Sequence, residues 1–147
     1  MTDYSFLTRK NFQPEDFFAS EKAVKLRIDN HTTNPIILKN LAVVADKIQQ
    51  IRDLLGKPIK VDSAYRCLEV NRAVESEDTS QHLKGQAIDF ICPDFGTPAD
   101  IFQFLQDNNV EVDQCLMEGT WIHVSIKSDL NRNEFAKLIN GVFTKVN

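Results

Sequence analysis

The stretch Ser80-Gln81-His82-Leu83-Lys84-Gly85-Gln86-Ala87-Ile88-Asp89 constrains the fold more than any other part of the chain. Gly85 marks a turn, which places His82 in a loop. Ala87-Ile88-Asp89-Phe90-Ile91 reads as a buried strand whose alternation sets the direction Asp89 faces. A second piece, Trp121-Ile122-His123-Val124-Ser125, also alternates, so His123 points away from the side of Ile122 and Val124. The chain has three histidines, and two of them fall in these patterned segments. Two neutral imidazoles and a carboxylate are good zinc ligands, and a three-ligand set leaves a fourth position open to water, as catalytic sites require. The expectation is that His82, Asp89 and His123 bind one zinc ion. Each has a plainer alternative: a lone His is more often a hydrogen-bonded core or surface residue, and an Asp in an apolar run can cap a strand.

Composition narrows the setting. A length of 147 residues, 42% hydrophobic and 26% charged, fits one domain spanning 1–147 with a single core, and argues against disorder. A net charge of −4 and a pI near 5.3 argue against a partner held by overall charge, so no nucleic acid is expected. The three cysteines, Cys67, Cys92 and Cys115, are odd in number and irregularly spaced. They form neither a disulfide framework nor a CxxC zinc site, and read as reduced core or near-core thiols. A nucleophilic Cys paired with His is a rival without a local motif. No apolar run is long enough for a membrane span. The start, Met1-Thr2-Asp3-Tyr4-Ser5-Phe6, lacks the basic and apolar regions of a secretory leader.

The remaining pattern predicts an α+β domain, an antiparallel sheet with helices packed on it and the zinc site on one sheet face. Pro14-Glu15-Asp16 opens a helix ending near Ala23. Ile37, Leu41, Val44, Ile48, Ile51 and Leu55 are spaced as the buried face of a helix over 36–55, stopped by Gly56. His31 lies in a polar loop and reads as a surface residue. Ile59 to Asp62 is a strand, 68–74 a short helix, and Thr97-Pro98 opens a helix to about Asn108. Strands follow over 112–117 and 121–126, with Glu118-Gly119-Thr120 as the turn. The spacing of Phe135, Leu138 and Ile139 also suits a helix, but Asn140-Gly141 between 135–139 and 142–146 is a strong hairpin signal, and a closing hairpin is expected.

The motifs Ser-x-His-x-x-Gly-x-Ala-x-Asp and Trp-x-His-x-Ser together resemble the zinc D-Ala-D-Ala carboxypeptidases, peptidase M15, in their compact bacterial and phage branch. Ser63-Ala64-Tyr65-Arg66 resembles that family's Ser-x-Tyr-Arg, Asn71-Arg72-Ala73-Val74 its following helix, and Phe12 to Asn30 its lead-in, so the likeness runs over roughly residues 11–126. It implies a D-Ala-D-Ala carboxypeptidase or hedgehog-like fold and a metallopeptidase acting on peptidoglycan stem peptides, as a D,D-carboxypeptidase or an endopeptidase. Its small size looks phage-like, as in an endolysin, and a monomer is expected. Without a leader, action at the cell wall would need export, a holin-type release or carriage in a virion.

Hydrolysis also needs a base for water and an acid for the leaving amine. Glu118, in the turn before the His123 strand, is the candidate, with Asp113 as fallback. Many family members place this acid three residues before the second His; here position 120 is Thr and the carboxylate stands five before. The acidic loop Glu75-Ser76-Glu77-Asp78-Thr79 likewise departs from the family's Gly-rich, lysine-containing turn. Arg66 is the candidate anchor for a carboxylate or developing oxyanion. Ser80, Ser63 and Trp121 are candidate substrate contacts. Two alternatives stay open: the same hydrolase acting on a small dipeptide, and a non-catalytic binding or virion-structural domain that retains the metal or only the fold.

Overall fold

The computed structural model describes residues 2–147. Its centre is a long helix laid against a six-stranded sheet. The helices are α1 (Glu21–Leu26), α2 (Pro35–Leu55), α3 (Leu68–Ala73) and α4 (Pro98–Asp107). The strands are β1 (Lys60–Ser63), β2 (Ala87–Ile91), β3 (Gln114–Met117), β4 (Ile122–Ser125), β5 (Glu134–Ile139) and β6 (Val142–Lys145), in sheet order β1-β2-β4-β3-β5-β6. Short 3-10 turns occupy Ser5–Leu7, Pro14–Phe17 and Gln81–Lys84.

Helix α2 forms where its spacing and punctuation demand. The Asn34 side chain accepts from the Ile36 and Ile37 amides, Pro35 takes a position that has no use for an N–H, and Gly56 ends the helix at φ 68°. Leu41, Val44, Ile48, Ile51 and Leu55 are buried as expected. Across the sheet, Ile88 stands opposite Val124 and Phe90 opposite Ile122, and all four are in the same buried cluster. Apolar burial of this kind is worth about 1.5–3 kcal/mol per large side chain. The alternate residues Asp89 and His123, also paired directly, therefore project from the other face.

The loop carrying His82 is pressed onto the first turns of α2. Gly85 adopts φ 70°, and a Cβ there would lie 2.8 Å from the Ile37 carbonyl oxygen and 3.1 Å from Leu41 Cγ. Asn40 Nδ2 donates to the Lys84 carbonyl at 2.9 Å from the same helix. Glycine is needed here for both conformation and space.

The structure corrects two expectations of secondary structure. The helix from Pro14 to Ala23 is two elements, because Ser20 is extended (φ −161°) and its side chain accepts from the Ala23 amide, starting α1 afresh. The sheet is not wholly antiparallel: β5 runs parallel to β3. His31 is exposed but not idle; its Nδ1 is 2.7 Å from Asp29 and its Nε2 3.0 Å from Glu15. The Asn140-Gly141 hairpin is present, with both residues at positive φ, 50° and 78°. Among the described residues, no helix is long and apolar enough to cross a membrane.

The parallel pair requires the chain to cross the start of β3 after leaving β4, and Asp113 pins that crossing. Its carboxylate accepts from the Arg132 amide (3.0 Å) and from Arg132 Nη2 (2.7 Å), and from Gln81 Nε2 (3.0 Å). The carboxylate has no exposure, yet its cover is a single layer of surface side chains, with Arg132 half exposed. This corrects its reading as a fallback acid, since its oxygens are already engaged.

Two outcomes are expected. Gly85→Ala should destabilise the fold by about 2 kcal/mol or more and loosen the His82 loop, read by thermal unfolding. Asp113→Asn should cost about 2 kcal/mol at neutral pH. Hydrogen bonding to Arg132 holds the folded Asp113 carboxyl well below the usual carboxylate range. That stabilisation is full above the unfolded carboxylate pKa and fades as pH falls toward the folded value, so the gap in denaturant midpoint between wild type and variant should narrow on acidification.

Candidate metal centre

Three elements meet on the sheet face opposite the α2 core. His82 comes from the 3-10 turn, Asp89 from the middle of β2 and His123 from the middle of β4. Asp89 Oδ1 lies 3.2 Å from His82 Nε2 and 2.9 Å from His123 Nδ1. The rings of His82 and His123 meet edge-on, with centroids 5.1 Å apart. One ligand atom from each of the three residues falls within 4.8 Å of the others, so the group could hold a metal ion.

Proton bookkeeping supports that use. His82 Nδ1 is 2.6 Å from the Ala64 carbonyl oxygen. A carbonyl can only accept, so Nδ1 carries the hydrogen and Nε2 turns a lone pair toward Asp89. Burial favours the neutral form of His82 over the imidazolium. Burial also opposes ionisation of Asp89, while the hydrogen bond from His123 Nδ1 favours its carboxylate. A neutral imidazole lone pair facing a carboxylate asks for a cation between them. The Ala64 carbonyl is then the outer partner that fixes the ring of a ligating histidine.

Ser80 shapes this loop, its hydroxyl accepting from the His82 amide at 3.2 Å. Arg66 is fixed along its backbone. Its amide donates to the His82 carbonyl at 3.1 Å. The buried Asn30 ties down both flanking residues, donating to the Tyr65 carbonyl (2.9 Å) and accepting from the Cys67 amide (2.8 Å). Arg66 Nε is buried with no hydrogen-bond partner. Burial lowers the guanidinium's pKa while the charges of Asp89 and Glu118 draw it back up.

A cleft of about 320 Å³ lies over the cluster, and Arg66, Ser80, Glu118 and Trp121 line it together with the three ligand candidates. The β3–β4 hairpin explains how Glu118 arrives from five residues before His123. Leu116 pairs with His123 and Met117 with Ile122, and the Glu118 amide donates to the Trp121 carbonyl at 3.1 Å. Glu118 is thus two residues beyond Leu116 and shares its face, as Trp121 shares that of His123. Burial raises the Glu118 carboxyl above its ordinary value, the Asp89 charge adds to this, and positive charge on His123 and Arg66 opposes it. The Trp121 Nε1 is buried and closes no hydrogen bond.

Residues 10–125 match the family model described as peptidase M15. The chain belongs to the peptidase M15 family. No curated protein matches it. A peptidase with a three-ligand metal cluster is the coarse functional reading that this membership and this geometry share.

Of the residues singled out in this M15 chain, His82, Asp89, His123, Arg66, Glu118, Trp121 and Ser80 come together in one cleft. Ser63 stands opposite Asp89 in the β1–β2 register but lines the adjoining groove, with its hydroxyl buried and unpartnered. The cysteine rival has no support. Cys92 and Cys115 are buried, and burial pushes both thiols up, away from the reactive thiolate. Cys115 pairs with Val124, on the face away from His123. Sequence reasoning missed the Ala64 carbonyl, which has no side-chain signature. It also missed Glu75, which a left-handed φ of 61° turns into the cleft.

Stripped of metal and titrated by calorimetry, the protein should take up one divalent ion per chain, and Asp89→Ala should lose that binding. At a free metal concentration of 100 times Kd, the gain in stability should be about 2.7 kcal/mol, visible as a raised Tm in wild type alone.

Proposed function

We propose that this chain is a zinc peptidase that hydrolyses amide bonds in peptidoglycan stem peptides, as a D,D-carboxypeptidase or an endopeptidase. The observation that carries the proposal is the meeting, in one cleft, of the His82, Asp89 and His123 cluster with a Glu118 of raised proton affinity and an Arg66 whose Nε has no partner. Two imidazoles and one carboxylate are a donor set that suits zinc, and His82 Nε2, an Asp89 oxygen and His123 Nδ1 would hold it. Zinc, when bound, supplies Lewis acidity toward the scissile carbonyl and a water acidified to near neutrality.

The protein's own groups supply the rest. Glu118 accepts a proton from the attacking water and delivers it to the leaving nitrogen, a role its raised pKa suits. Arg66 donates toward the carbonyl oxygen as negative charge builds there, and its own amide bond to the His82 carbonyl, with Asn30 holding Tyr65 and Cys67 on either side, keeps its backbone from following the substrate. Trp121 forms an apolar wall, and Ser80 keeps the His82 loop in its turn. A stem-peptide substrate places the site of action at the cell wall.

Glu118→Gln should lower kcat by about 10²–10⁴-fold while one zinc per chain is retained. Arg66→Ala should cost about 10²–10³-fold. Both are measured on purified peptidoglycan by mass spectrometry of the released termini. A zinc-loaded wild type that releases no new termini would instead mark a metal-retaining binding domain.

A further inference from the structure

The metal cleft continues into a second, larger hollow. A groove of about 810 Å³ runs between α1 and β1, and Arg66 and Val74 line both spaces. One wall is the whole of β1, Lys60 to Ser63; the opposite wall includes Val24 of α1, which is 80% exposed. β1 is an end strand of the sheet. Among the described residues, no backbone group of 60–63 bonds outside its ladder with β2, and this free edge ends beyond Ser63, where the Tyr65 amide donates to the Phe17 carbonyl. An unpaired edge facing a groove is a template for an extended chain, which gains main-chain hydrogen bonds there and lodges alternate side chains in the walls.

We propose that the free edge of β1 takes the substrate peptide as an added strand and guides it past Arg66 to the metal. The register carries this. Ser63 pairs with Asp89, so a chain lying on β1 reaches its Ser63 end two strand spacings, about 10 Å, from a ligand candidate. About three extended residues cover that distance at about 3.3 Å each. The ladder is irregular between Val61 and Ser63, a bulge of the kind that ends pairing and redirects the chain beside active sites. Two buried polar atoms without partners, Ser63 Oγ and Arg66 Nε, belong to residues on this route. The hollow on the other flank of the cleft offers less: its Asp113 is taken by Arg132 and Gln81, and its Gln114 by Glu134.

This assignment rests on the peptidase reading and predicts a length dependence that the reading alone does not. The test uses zinc-loaded protein and synthetic stem peptides of two to six residues, lengthened in turn on each side of the scissile bond. Lengthening on one side should raise kcat/KM at least tenfold. Val24→Trp, at an exposed position outside the catalytic cleft, should erase that gain and leave the shortest substrate's rate unchanged. N-methylation along the extended side should lower kcat/KM at alternate residues, the period of a strand ladder. Equal rates at every length, a Val24→Trp effect on all lengths alike, or no alternation under N-methylation would overturn the added strand while the peptidase stands. No cleavage at any length would overturn both.

Discussion

Burying a carboxylate costs several kcal/mol unless positive charge or hydrogen bonds answer it, and the architecture of this protein is arranged around the answer given to Asp89. The residue sits mid-strand, flanked by Ile88 and Phe90, which face the core, so its own side chain has a fixed direction. Pairing with β4 sets His123 directly beside it. His82 comes from outside the sheet and needs its own supports: Gly85 allows the loop to press against α2, Asn40 holds the Lys84 carbonyl, and Ala64 orients the ring. The helix that fills the core and the loop that supplies a ligand are therefore held by the same residues of α2, Ile37 to Leu41.

The crossover after β4 is coupled to the same loop. Gln81 precedes His82 and donates to Asp113, which also holds Arg132. A single buried carboxylate thus joins the 3-10 turn that carries His82 to the segment that lets β5 pair with β3. The family match ends at residue 125, before this segment begins, and the β5–β6 hairpin is braced against the matched part of the chain. The brace adds a hydrogen-bonded ion pair to a hairpin whose Phe135 also packs in the apolar core.

The fold was legible where one local rule was enough. The α2 spacing, stopped by Gly56, left little freedom, and at the tail the Asn140-Gly141 turn signal prevailed over the helical spacing of Phe135, Leu138 and Ile139. Reading failed where two local signals competed or where the partner was distant. Pro14 and the acids after it do start a turn, but Ser20 starts another helix six residues later, and periodicity across Phe17 and Phe18 does not reveal the break. The parallel β3–β5 pairing depends on Asp113 finding Arg132 across nineteen residues, which no window of sequence shows. His31 was in plain view, yet its pairing with Glu15 depends on how the lead-in folds back.

The site divides in the same way. His82, Asp89 and His123 could be picked out because loop-and-strand alternation fixes where each points. Glu118 was harder, since counting residues back from His123 puts Thr120 where an acid is expected. Sheet geometry resolves this. In a hairpin, neighbourhood is measured across the ladder and in steps of two along it, so a residue five back along the chain, two beyond the partner of His123, shares its face. The number of residues between acid and histidine is then a property of the turn, and the face they share is what the chemistry needs. By the same rule Thr120 is poorly placed for the acid's role: it belongs to the exposed tip of the turn, whereas Glu118 is the first residue after β3 and is half-buried against the cleft.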